Sequence, residues 1–87
     1  MADLYLPSTL TALFSGLPKH VAVDAPTVNG MLDDLERRWP GLRDRLCEPG
    51  PELRLHIHVY VDGERATLGT AVDERSRVDV IAAISGG

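Results

Sequence analysis

Three groups of residues have types and spacings that could do chemistry. His56 and His58 stand two apart, the spacing that puts both rings on one face of a strand, where they could share a metal with His20 or an acidic residue completing the set. No third ligand stands at a convincing spacing, so the sequence predicts no metal site. Cys47 follows Arg43 and Arg45, whose charges favour a reactive thiolate. A small, partly buried residue beside a loop describes Cys47 better. The third group is the C-terminus, Ile84-Ser85-Gly86-Gly87. At a glycine frequency of ~7%, a terminal glycine pair arises by chance in about one chain in 200, so it needs context to carry meaning.

The elements that must position these residues are legible from their periods. Over 27–39, Val28, Met31, Leu32, Leu35 and Trp39 recur at offsets of three and four between charged residues, which predicts an amphipathic helix with Met31, Leu35 and Trp39 in the core. Thr27 is a good N-cap and Pro40-Gly41 a stop, although Gly30 stands where a capping box would want Glu. A short helical turn over 42–47 and a breaker loop, Glu48-Pro49-Gly50-Pro51, follow. From Leu53 to Val61 apolar and polar residues alternate, which predicts one continuous strand with a single buried face. Asp62-Gly63 then predicts a two-residue hairpin, with 64–67 returning antiparallel.

The last strand is predicted over 77–83, with Val78, Val80 and Ala82 inward and Asp79, Ile81 and Ala83 on the opposite face. Near the start, Leu4 and Leu6 alternate with Asp3 and Tyr5, and 19–24 reads as a second strand reached through a loop. The order is β, β, α, β, β, β. A lone helix needs a face to pack on, so one sheet with the helix across one side is the simplest architecture.

Composition narrows the function. The 87 residues leave room for one domain with a thin core and no deep catalytic cavity, so function is expected on the surface or at the ends. A net charge of -4 argues against nucleic acid, and a single cysteine cannot form an internal disulfide. The longest apolar run, 80–84, is far below the ~18 residues a membrane span requires, and the N-terminus carries no targeting pattern, so a cytoplasmic protein is expected. Lys19 is the only lysine, which argues against chains built through acceptor lysines.

The order of elements and the ending Val80-Ile81-Ala82-Ala83-Ile84-Ser85-Gly86-Gly87 together resemble the ubiquitin-like sulfur carriers of the MoaD/ThiS family. The matching features are the Thr27-initiated helix, the Val59-Tyr60-Val61-Asp62-Gly63-Glu64 hairpin, the Leu68-Gly69-Thr70-Ala71-Val72 stretch and the apolar final strand. They cover nearly the whole chain. The long connection over 40–53 is most similar to carriers that donate sulfur for cysteine synthesis. Three features depart from common family patterns: Arg75-Ser76 replaces a Gly-Asp turn, Ala82 a Pro, and His58 an Asn.

The resemblance implies an α+β β-grasp fold, a mixed sheet of about five strands with one main helix across one face, occupying 1–83 and followed by a flexible tail over 84–87. It implies a carrier that is not itself an enzyme, monomeric when free and without a bound cofactor. Gly87 would be adenylated by a ubiquitin-activating-type enzyme using ATP and magnesium, then converted to a thiocarboxylate that donates sulfur through a downstream synthase, for cysteine, a specialised metabolite, molybdopterin or thiamine. Gly86, Ser85 and Ile84 would thread the partner's channel. Four residues beyond Ala83, at ~3.4 Å each, reach roughly 13 Å, and two glycines keep that stretch slender. Ile81, Ala83, Tyr60 and His58 would form a docking patch on the open sheet face, while Arg54, Arg65, Arg75 and Arg77 read mainly as solvated charges. The alternatives are a protein modifier conjugated through Gly87 and a β-grasp interaction module with an inert tail.

Overall fold

A computed structural model describes residues 1–50 and 52–82. Five strands form one mixed sheet: β1 (Ala2–Tyr5), β2 (His20–Val23), β5 (Ile57–Val61), β6 (Glu64–Ala66) and β7 (Arg77–Ala82). Their spatial order is β2-β1-β7-β5-β6. The last strand therefore lies in the middle, parallel to β1 and antiparallel to β5. Helix α2 (Val28–Arg38) crosses one face, and this is the β-grasp architecture that the resemblance implies. Leu4, Val23, Val59 and Val78 from the sheet are fully buried together with Val28, Met31, Leu32 and Leu35 from the helix.

Helix α2 starts where Thr27 predicts. The Thr27 Oγ1 accepts a hydrogen bond from the Gly30 N–H at 3.1 Å. The Val28 and Asn29 N–H groups donate to the carbonyls of Thr70 and Leu68, so the stretch around Gly69 caps the helix from across the molecule. This arrangement explains the missing capping box. A Cβ at Gly30 would lie 3.2 Å from the Ala25 Cβ and 3.4 Å from the Thr27 Oγ1, crowding the cap itself.

At the other end, Gly41 adopts φ +95° and the chain turns into α3 (Leu42–Leu46). The Glu36 carboxylate accepts the N–H groups of Gly41 and Arg43 at 2.9 and 2.8 Å. Those two bonds hold its carboxyl below the ordinary value of 4.5. A carboxyl depressed in the folded state contributes stability that is complete above its unfolded pKa and disappears as pH falls through the folded one. The Glu36→Gln variant is therefore expected to be less stable than the parent at pH 7, the gap narrowing as pH falls below the ordinary value of 4.5, in urea melts taken across that range.

The Asp62-Gly63 hairpin forms as expected, with φ of +50° and +85° and with Val61 paired to Glu64. Asp62 also ties the hairpin to β7, its Oδ1 accepting the Arg77 N–H and its own N–H donating to the Arg77 carbonyl. Where Arg75-Ser76 departs from the Gly-Asp pattern, side chains make the turn instead. Asp73 Oδ1 accepts the Arg75 N–H, and the buried Ser76 Oγ accepts the Asp73 N–H.

Several expectations need correction. The strand expected over 53–61 is broken: Cys47–Glu48 (β3) pairs with Glu52–Leu53 (β4) in a small separate hairpin, and β5 begins only at Ile57. The Arg54 N–H donates to the Leu46 carbonyl and the Ile57 N–H to the Arg54 carbonyl, so the chain turns at 54–57. Leu55, expected inside, is 81% exposed. The loop before the second strand contains a short helix, α1 (Ser8–Thr11), which buries Leu10. Trp39 is the C-cap of α2 and only half-buried against the core, whereas Met31 and Leu35 are fully buried.

Candidate functional site

The residues with expected roles gather around β7 and its exit. Val78 and Val80 point into the core, and Arg77, Asp79 and Ile81 occupy the outer face. On that face Ile81 is paired directly with His58, and Asp79 with Tyr60. Ile81 is 45% exposed, while His58 and Tyr60 are half-buried. The structure thus places Ile81, His58 and Tyr60 side by side at the C-terminal half of β7. Ala83, Ile84, Ser85, Gly86 and Gly87 lie outside the described residues.

The rest of the outer face is polar and internally paired. Tyr5 stacks on His20 with ring centroids 4.6 Å apart, and the Arg77 guanidinium covers the Tyr5 ring at 4.1 Å. His20 Nε2 lies 2.8 Å from Asp3 Oδ1, and Arg77 binds Asp79 at 3.1 Å. The Asp79 hydrogen bond raises the Arg77 pKa further. Arg77 is therefore committed to its neighbours, and the apolar part of the face is confined to the β5–β7 end. Sequence reading missed this stack because it joins three strands whose register is not local.

Ala82, the last described residue, pairs with Ile57, and Ile57 lines two clefts. One, of about 250 Å³, runs past Leu10, Leu13, Leu46 and Ala82. The other, of about 520 Å³, is lined by Leu53, Leu55 and Leu68 with Arg54 and Arg65.

Neither of the other chemical candidates is assembled. His56 lies in the turn before β5, off the strand that carries His58, and His20 sits on the far edge strand. Among the described residues no three His, Cys, Asp or Glu side chains come together to hold a metal. Cys47 is 8% exposed, and burial raises its pKa against the opposing pull of Arg43 and Arg54. Its alkylation by iodoacetamide at pH 7.5 is expected to run at least about tenfold slower than that of free cysteine, rising to the free rate in urea. Among the described residues no helix is long and apolar enough to cross a membrane.

No family model matches the sequence. Individual relatives do. The sulfur carrier protein CysO of Mycobacterium tuberculosis is 28% identical over 85 residues, 91% of either chain. Small archaeal modifier protein 3 of Haloferax volcanii is 34% identical over 68 residues, 74% of this chain and 73% of that one. The chain belongs to the ubiquitin-like sulfur carriers. A solved complex, the BexX/CysO complex of Amycolatopsis orientalis, contains a chain that superposes on this carrier with a TM-score of 0.89 at 27% identity, over 100% of both chains. The carrier is thus similar to CysO chains over nearly its whole length.

Proposed function

We propose that the carrier works in the cytoplasm through its terminal carboxylate. A Gly87 oxygen attacks the α-phosphate of ATP, held with magnesium on an adenylating enzyme of the ubiquitin-activating class, and pyrophosphate leaves. A sulfide sulfur then attacks the acyl carbon and expels AMP, leaving a thiocarboxylate. A downstream synthase takes that sulfur as a nucleophile onto an activated acceptor, as in cysteine formation. The carrier supplies no general base, metal or nucleophilic side chain; its part is to present the tail and to dock through Ile81, His58, Tyr60 and Ala83. The observation that carries this reading is the central strand β7, which holds Ile81 outward beside His58 and is followed in the sequence by Ala83-Ile84-Ser85-Gly86-Gly87.

The test is mass spectrometry after incubation with an adenylating enzyme, ATP, magnesium and sulfide, followed by alkylation and fragmentation. Exchange of oxygen for sulfur adds about 16 Da, nominally the same as oxidation of Met1, Met31 or Cys47, so the alkyl group must be localised to Gly87. ATP-dependent label on Gly87 supports the proposal. A second reading comes from the likeness to a small archaeal modifier protein: conjugation of Gly87 to a lysine of another protein. Recovery of Gly87 only in isopeptide linkage would replace sulfur donation with that reading, and a permanently free carboxylate would leave a binding module.

A further inference from the structure

Five residues separate Ala82 from the terminal carboxylate, and five residues span at most ~17 Å. An enzyme that closes its active site on Gly87 must therefore bring its surface close to whatever surrounds Ala82. The surroundings are unusual for this molecule. Among the described residues only Met1, Leu13, Leu55 and Ile81 are large apolar side chains left exposed, and three of these four flank the tail exit. Leu13, 54% exposed, borders the cleft that contains Ala82, and Leu55, 81% exposed, borders the cleft on the other side of Ile57.

Charge at the exit runs against the rest of the chain. In a protein of net charge -4, the two clefts are lined by Arg45, Arg54 and Arg65 and a single carboxylate, Glu52. Arg54 is drawn toward the Asp44 carbonyl and lies 3.9 Å from Glu48. Arg45 and Arg65 form no ion pair among the described residues. Short helix α1 and the turn at 54–57 put both leucines here, outside the sheet face.

We propose that Leu13 and Leu55 form a collar at the root of the tail that seats on the mouth of the adenylating enzyme, and that this mouth is apolar with carboxylates facing Arg45, Arg54 and Arg65. The inference rests on the reading of Gly87 as the reacting group. The collar is separate from the Ile81, His58 and Tyr60 patch: the patch lies flat on the outer face, and the collar surrounds the exit edge-on. Apolar contacts at such a rim supply affinity, and the arginines supply encounter rate and orientation.

The experiment is a titration of the carrier against the adenylating enzyme that labels Gly87, following pyrophosphate release. Leu55→Asp and Leu13→Asp are each expected to raise KM roughly tenfold or more with kcat nearly unchanged. Arg54→Glu combined with Arg65→Glu should raise KM and flatten its dependence on salt, whereas Ala22→Asp on the far edge strand should do neither. Thermal melts confirm that each variant is folded; Leu55 is the safest site because its side chain is almost wholly in solvent. An unchanged KM in both leucine variants, with the parent carrier still labelled, overturns the collar and leaves the Gly87 reading standing. A parent carrier that is never labelled overturns both. A parent dimer in sedimentation that Leu55→Asp converts to monomer makes a second copy the occupant, and also overturns the proposal.

Discussion

Deletion of Gly87 is expected to abolish sulfur loading, lowering ATP-dependent labelling of the C-terminus by at least about two orders of magnitude while the melting temperature stays put. The shortened chain still ends in a glycine carboxylate, so only its position changes. That carboxylate is withdrawn by one residue, ~3.4 Å, and a displacement of ~1 Å at a reacting centre can already cost a hundredfold. Gly86→Val is expected to be as damaging for a different reason: the terminal carboxylate keeps its reach but a branched side chain widens the thread. Stability is insulated because the buried residues of β7 are Val78 and Val80, well before the tail. ATP–pyrophosphate exchange read beside thermal melts separates the two effects. Loading within tenfold of the parent in both variants would mean that the terminus does not enter an active site.

Truncation of Leu35 to alanine is expected to be the most destabilising single change of those considered, costing about 3–4 kcal/mol. Leu35 is completely inaccessible and belongs to the one core cluster, between the helix and Leu4, Val59 and Val78. A domain of 87 residues has about 4–13 kcal/mol of stability in all, so the loss should lower the melting temperature by roughly 15–25 °C. Ile81→Ala, on the outer face and 45% exposed, should stay within about 0.5 kcal/mol of the parent and serves as the control. Urea melts of the two variants give the comparison directly; equal losses would mean that the outer face is covered in the free protein.

Elements specified by a local pattern were legible in the sequence. The offsets of Val28, Met31, Leu32 and Leu35 produced α2, Thr27 capped it, Asp62-Gly63 made the hairpin, and the inward alternation of Val78 and Val80 held. What failed was set by distant partners. Alternation from Leu53 to Val61 is perfect as a pattern, yet the bond from the Arg54 N–H to the Leu46 carbonyl pulls the first residues into another hairpin and turns Leu55 outward. The loop over 48–51 looked like simple punctuation, but it joins β3 to β4. In the candidate site, the adjacency of Ile81, His58 and Tyr60 could be read from sequence because it follows from the end of one strand and its neighbour, while Gly86-Gly87 lie outside the described residues. The exposed Leu13 and Leu55 could not, because only the folded chain brings α1 and the 54–57 turn to the same edge. Cys47 was legible despite Arg43 and Arg45: the sequence favoured a small, partly buried residue, and Cys47 is 8% exposed with its pKa raised by burial.

The parallel pairing of β1 with β7 has a mechanical consequence. Both strands run the same way at the centre of the sheet, so Met1 and the tail root lie at opposite ends, about seven residues or ~23 Å of strand apart. A pull on the tail along the strand axis drives β7 lengthwise between β1 and β5, and the ladders on both sides must give way together rather than open bond by bond. The domain can therefore be tugged into and out of a tight channel without unzipping. A reporter fused ahead of Met1 rides at the far end of the molecule, clear of whatever grips the tail.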